Sequence, residues 1–504
     1  MAFFPLKKVG YLLFIPIYFI LHNGLLYYHV VDFRNLAGWI ALWLALPIVL
    51  FQLLQWRYKQ RTKTAGLLTA FYLLFFFFYS PVYNALYHTP YLQFLVKISV
   101  LLSLLALSLI VVFFFHRRLQ LEASRLPTLL TLIFGVLIFF DVSTFVLRGG
   151  RNPSVLQPEH VLDTSGLVFQ HHPDVYYLIF DEHVAAHAAK QYLGIDNRAT
   201  DSLLQLRNFH ISSHSVSAYT HTTISLAANF WTSVFKENRN KKVELTNYQL
   251  ALYNLEKNPV VPVLLRNGYS IINTADYKIY ETEPGVKKQH HFGNIEQIVL
   301  NQTFANRIVL QIQGIVYDRF PHLLQQSERF RSGLQAGQEN ILQIRNNILK
   351  AARSTSAQPK FVYAHFPVPH LPILFDSSMQ PLSAASYLQY NKKMSDTAAF
   401  AQNLLVARKF MLELADSILA NRTRPAIVII QSDHGYRGRN GSAPAPLKHA
   451  ILSAWHLPAE MHTAIPDDLY AVNTFRLLLQ LLTEKSVPQV PATLRTQQSD
   501  LLPD

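Results

Sequence analysis

The chain has 504 residues, of which half are hydrophobic and only 15% charged, with 34 Phe and 25 Tyr; this excludes a disordered chain, which needs high charge and few aromatics, and argues against a wholly soluble one, where charged residues reach about a quarter. The absence of cysteine excludes a disulfide scaffold, an iron–sulfur centre and any Cys-ligated zinc. The net charge of +14 is concentrated in the most apolar part, +9 in residues 1–150 against +5 in the rest, which points to a membrane and not to nucleic acid.

Five apolar stretches fill residues 1–150, at about 9–28, 37–56, 65–84, 93–115 and 126–147. Each approaches the ~20 residues a helix needs to cross the hydrocarbon. The first follows Lys7 and Lys8 as a signal peptide would, but it lacks a small-residue cleavage site and four more spans follow, so it reads as an uncleaved helix. Charge alternates in the loops. Lys7 and Lys8, then Arg57, Lys59, Arg61 and Lys63, then Arg117, Arg118 and Arg125 mark three basic segments, and the loops between them are nearly neutral. The positive-inside rule places the basic segments in the cytoplasm, and an odd number of spans sends everything after Leu147 to the far side. Lys97 and Asp141 lie near or within spans; Lys97 reads as snorkelling from a helix end, and Asp141 is compatible with either a structural or a functional role.

Residues 151–172 mix Gly, Pro and polar residues without a period and read as a linker. From 173 to 504 short apolar runs alternate with amphipathic stretches. Val175–Phe180, Tyr269–Asn273, Phe361–His365 and Ala426–Ile430 have the composition of fully buried strands, and helical patterns fall at about 246–267, 336–354 and 388–420. This alternation predicts an α/β domain with a mostly parallel central sheet and helices on both faces, following an α-helical membrane module.

Ligands in open α/β sheets collect at the carboxyl ends of strands. Val175–Phe180 ends in Asp181-Glu182-His183, Ala426–Ile430 in Ser432-Asp433-His434-Gly435, and the third run in His365, followed by His370. Asp181 and Glu182 also fit an N-cap with a first-turn acid, Asp433-His434-Gly435 an ordinary turn, and the two histidines packed loop positions. Together they form a set of carboxylates and imidazoles suited to Zn²⁺, Mn²⁺ or Mg²⁺. The stretch Ser217–Ser225 adds hydroxyls just before an apolar helical run. A threonine there would sit at a helix N-terminus, where backbone amides favour an alkoxide or phosphate; spacing alone does not choose among Thr220, Thr222 and Thr223.

The pieces DVYYLIFDE (174–182), YLGIDN (192–197), SAYTHTTISLAANF (217–230), FVYAHFPVPHLPILFD (361–376), IVIIQSDHG (427–435) and VNTFR (472–476) together resemble the sulfatase-like branch of the alkaline phosphatase superfamily. Five helices followed by an exported domain resemble its membrane-anchored group, the phosphoethanolamine transferases and lipoteichoic-acid synthases. The resemblance implies Asp181 as the first-strand metal ligand with Glu182 beside it, Thr222 as the metal-bound nucleophile, and Asp433 and His434 as the late metal ligands. It further implies His370, and more weakly His365, as substrate-side histidines. Two departures stand out. The formylglycine motif of true sulfatases is missing, and Tyr436-Arg437-Gly438-Arg439 replaces the His and acid that many relatives carry after SDHG, with Lys448 and His449 further on.

The expectation is a bacterial inner-membrane, multi-pass enzyme with its catalytic domain on the periplasmic or extracellular side. It would move a phospho-head group from a membrane lipid, through Thr222, to a glycan or lipid acceptor, with a divalent metal as cofactor. A phosphodiester or sulfate-ester hydrolase and a catalytically degenerate envelope scaffold are the alternatives.

Overall fold

A computed structural model describes residues 10–26, 33–58, 62–87, 91–97, 125–147, 156–236, 251–286, 297–438, 441–461 and 464–492, with isolated positions between 89 and 108. The chain divides into two compact units, Met1–Pro153 with His290–Leu324, and Ser154–Gln289 with Gln325–Asp504. Residues 290–324 therefore group with the N-terminal helices although they lie inside the 173–504 stretch.

The first unit contains α1 (Phe14–Leu26), α2 (Ala37–Arg57), α3 (Thr62–Tyr87) and α4 (Leu126–Leu147). Among the described residues three helices, Phe33–Arg57, Thr62–Ser80 and Pro127–Leu147, are long and apolar enough to cross a membrane, and Gly10–Leu26 is a shorter apolar helix. The fourth expected span, 93–115, lies largely outside the described residues. Phe19 of α1, Trp43 of α2 and Phe77 of α3 meet in an aromatic cluster with centroids 4.8–6.2 Å apart. Asp141 has a partner: its carboxylate lies 2.8 Å from His22 Nδ1. The helix Phe304–Arg319 packs on α3, with Phe304 against Phe75 and Tyr79 and the Arg307 guanidinium 4.9 Å above the Tyr83 ring.

Among the described residues the second unit is built on six strands: β1 (Asp174–Phe180), β2 (Phe209–Ile211), β3 (Ser270–Asn273), β4 (Lys360–Phe366), β5 (Ala426–Gln431) and β6 (Ser453–His456), in the order β2-β6-β5-β1-β4-β3. The four strands expected from sequence form the parallel part, and β6 and β2 extend it antiparallel. Both faces are covered, as the uninterrupted apolar runs require. Val175, Tyr177 and Ile179 of β1 point into one core with α6 (Thr222–Trp231) and α10 (Thr474–Thr483). Tyr176, Leu178 and Phe180 point into the other, with α7 (Glu328–Arg353) and α8 (Asp396–Asn421). The remaining helices used below are α5 (Arg198–Gln205) and α9 (Ala445–His449).

Local chemistry sets the helix limits. α7 buries Ile341, Ile344 and Ile348 on one stripe, each burial contributing about 1.5–3 kcal/mol, and starts where Ser327 accepts from the Phe330 amide. The pattern at 388–420 is two helices, because Ser395 begins a new one by accepting from the Ala398 amide. The pattern at 246–267 is likewise interrupted before Val260, where Pro259 stands at the N-cap. At the opposite, amino-terminal ends of the parallel strands, buried Asp174 accepts from the Lys360 amide at 3.0 Å and ties β1 to β4.

Candidate metal centre

The sheet register delivers the acidic residues to one place. Ile179 of β1 pairs with Gln431 of β5 and with His365 of β4, so the residues that follow, Asp181 and Asp433, leave adjacent parallel strands side by side. The Ser432–Gly435 turn is tied down within itself: the Ser432 hydroxyl donates to the His434 carbonyl at 2.6 Å and accepts from the His183 amide at 2.8 Å. Gly435 is required by close approach. Its amide donates to Lys448 O at 2.7 Å, and a Cβ there would stand 2.1 Å from Leu447 O and 2.6 Å from Ala450 O. At the end of β1, Glu182 takes a left-handed backbone (φ 66°), and its amide donates to Asp433 Oδ1 at 3.1 Å. This sends the Asp181 and Glu182 side chains to different partners.

Asp181, Asp433 and His434 are buried, with one ligand atom from each lying within 4.8 Å of the others. His434 Nδ1 lies 2.8 Å from the Gly435 carbonyl, which makes it the protonated nitrogen and leaves the Nε2 lone pair facing the carboxylates. Nε2 is 3.4 Å from Asp433 Oδ2, 3.6 Å from Asp181 Oδ1 and 3.4 Å from Thr222 Oγ1. Asp181 Oδ1 and Asp433 Oδ2 are buried and make no hydrogen bond among the described residues. Two orphaned carboxylate oxygens and an imidazole lone pair converging on one point fit a divalent cation, since such groups are otherwise costly to bury. Electrostatics agrees. Burial, and then the charge of Asp433, raise the Asp181 carboxyl. Asp433 is opposed by burial, yet His434, His365, the Glu182 amide and the Thr222 hydroxyl hold it below the usual carboxylate range.

Among the three threonines the structure distinguishes clearly. Thr222 is the first residue of α6, and its hydroxyl faces His434. Thr223 is buried, and buried Thr220 lies beside the His221 ring, 3.4 Å from Nδ1. His365 is buried behind Asp181, with Nε2 at 3.8 Å from Asp181 Oδ2 and Nδ1 at 3.5 Å from Asp276. Burial opposes its charge, but Asp276, Asp181 and Asp433 outweigh it and raise His365 to about 9. Glu182 and His370 stand apart from the three-residue cluster. Glu182 accepts from the Arg437 amide at 2.7 Å, and His370 Nε2 lies 2.9 Å from Arg437 Nη2.

Sequence reasoning missed Asp276 and gave Arg437 no role. Asp276 lies three residues beyond β3, where the strand-end rule applies equally. Arg437 carried no such signal.

No protein-family model and no curated protein matches the chain. Among solved structures it is similar to the integral membrane lipooligosaccharide phosphoethanolamine transferase A (EptA) of Neisseria meningitidis, at 14% identity over 98% of each chain with a TM-score of 0.42. It is also similar to the C-terminal periplasmic domain of Escherichia coli EptC in complex with Zn (12% identity, 67% of this chain and 93% of that one, TM-score 0.37). The corresponding domain of Campylobacter jejuni EptC, a phosphoethanolamine transferase, gives 14% identity, 57% and 81% coverage, and a TM-score of 0.32.

Proposed function

We propose that the protein is a membrane-anchored, metal-dependent phosphotransferase of the sulfatase-like branch of the alkaline phosphatase superfamily, acting through a threonine-linked intermediate. One observation carries the reading: the Thr222 hydroxyl, at the N-terminus of a ten-residue helix, stands 3.4 Å from His434 Nε2 in the same cluster as two buried carboxylates. Asp181, Asp433 and His434 would hold a divalent ion, with Glu182 nearby in sequence but engaged elsewhere. When bound, such an ion acts as a Lewis acid that lowers the pKa of a neighbouring hydroxyl and screens phosphoryl charge.

Thr222 Oγ1 attacks the phosphorus of a lipid phospho-head group. A P–O bond to Thr222 forms, the P–O bond to the lipid alcohol breaks, and the proton given up by the Thr222 hydroxyl is returned to that alcohol as it leaves. An acceptor hydroxyl of a glycan or lipid then displaces Thr222, and the threonine hydroxyl is restored. Backbone amides at the start of α6 stabilise negative charge on the phosphoryl oxygens through both displacements. The helices of the first unit support a lipid donor by anchoring the chain, and the loop charges support a cytoplasmic N-terminus with the catalytic unit on the exported face of the bacterial inner membrane.

The test is intact-mass analysis of protein purified from membranes and incubated with phospholipid. A phospho-head-group adduct that maps to Thr222 and is missing from Thr222→Ala is expected, with turnover lost by a factor of at least about 10³ and partly retained in Thr222→Ser. An adduct persisting in Thr222→Ala would overturn the assignment.

A further inference from the structure

We infer that Arg437 is the anion-binding residue of this site, its guanidinium fixed by Glu182 and His370 so that it faces the phosphoryl group of the substrate; the inference rests on the phosphotransferase reading above.

The bonding of His370 is the first observation. Its Nδ1 lies 2.6 Å from the Leu371 carbonyl and so carries the proton, while Nε2 lies 2.9 Å from Arg437 Nη2, a group that can only donate. Both ring nitrogens are thus accounted for. A histidine with its lone pair capped by a guanidinium is neither a metal ligand nor a free proton donor; it positions the arginine. Glu182 does the same beside it. Its Oε1 accepts from the Arg437 amide at 2.7 Å and lies 3.8 Å from Arg437 Nε, and its Oε2 is 3.8 Å from His370 Nε2. The left-handed turn at Glu182 is what aims this carboxylate away from Asp181.

The arginine is held at its backbone too. Its amide is bound by Glu182 and its carbonyl accepts from Ala443 at 2.8 Å across the turn at Gly438, whose φ is +72°. A guanidinium has five N–H donors, and the contacts above engage one edge of the fork, so the geometry suits bidentate capture of an oxyanion by the rest. Its charge also falls where the chemistry is. The Glu182 amide donates to Asp433 Oδ1 at 3.1 Å while its carboxylate accepts from the Arg437 amide, so one residue ties the arginine to the carboxylate cluster and holds its positive charge at that end of the sheet.

The experiment measures inorganic phosphate affinity and metal content in the detergent-solubilised full chain. Arg437→Ala should weaken phosphate binding at least about tenfold and retain the metal held by Asp181, Asp433 and His434. Arg437→Lys should fall between, and added guanidinium ion should restore binding to Arg437→Ala, which a merely structural role would not allow. Glu182→Gln should weaken phosphate binding and keep the metal. Undiminished phosphate affinity in Arg437→Ala, no phosphate binding by the wild type, loss of metal in Glu182→Gln, or no rescue by guanidinium would overturn the inference. Any of these can occur while the Thr222 adduct persists, so its failure is separate from failure of the phosphotransferase reading.

Discussion

Gly435→Ala tests how tightly the fold constrains the site. The new Cβ would lie 2.1 Å from Leu447 O and 2.6 Å from Ala450 O, both backbone atoms that no rotamer change can move aside. Normal carbon–oxygen contact is more than 3 Å, so the Ser432–Gly435 turn and the 447–450 segment must separate by about 1 Å. That strains the Gly435 amide bond to Lys448 O, and it shifts Asp433 and His434, which leave the same turn. Overpacking of this kind costs about 1–3 kcal/mol, and the lost bond about 1 kcal/mol more. Metal affinity should fall at least about tenfold, because the ligands tolerate only about half an ångström of displacement. The measurements are thermal unfolding and metal titration of the detergent-solubilised protein. Gly333→Ala is the control of opposite sign: a Cβ meets nothing within 4 Å, and the residue lies inside α7, so stability should rise by about 0.5–1 kcal/mol. Wild-type melting and metal affinity in Gly435→Ala would refute the claim that this turn positions the ligands.

Asp181→Ala, Asp433→Ala and His434→Ala should each remove most bound metal while the sheet survives, since these residues lie beyond the strands; elemental analysis with circular dichroism checks it, and full metal occupancy in Asp433→Ala would refute the cluster. Burial raises Asp201, in the first turn of α5, to about 6, above its unfolded value near 3.9. The folded state binds this proton more tightly, so the group's contribution is intact below about pH 4 and is lost as pH rises through 6. After discounting for partial exposure the loss is about 1–2 kcal/mol, and Asp201→Asn should gain melting temperature over wild type at pH 7 but not at pH 4. Reporter fusions after residues 60 and 122 should read as cytoplasmic and one after residue 170 as exported; a cytoplasmic signal at 170 would refute the membrane orientation.

Much of the architecture was legible because long apolar runs are unambiguous. DVYYLIF and AIVII are buried on both faces, and only a covered parallel sheet accommodates that. β2 (FHI) and β6 (SAWH) escaped because a histidine interrupts one and small and polar residues the other, whereas the equally short β3 carries the β-branched pair Ile271-Ile272. The grouping of 290–324 with the N-terminal helices was illegible for a different reason. The contacts of Phe304 with Phe75 and Tyr79 span more than 220 residues, and no local pattern encodes them.

The site shows the same division between what a run of residues reveals and what the backbone decides. Strand-end reasoning brought Asp181, Asp433 and His434 together because each lies within three residues of the end of a buried strand, where chain direction is fixed. For the pair Asp181-Glu182 it offered two adjacent acids with one apparent destination. The positive φ at Glu182 separates them: Asp181 joins the buried cluster, and Glu182 turns to Arg437 and His370. A left-handed backbone at a non-glycine residue costs of order 1–3 kcal/mol and persists only where its surroundings hold it. Here the Glu182 amide donating to Asp433 and its carboxylate accepting from Arg437 supply that hold. Glu182 thus joins the carboxylate cluster to the arginine, and displacing either partner would release its strained backbone.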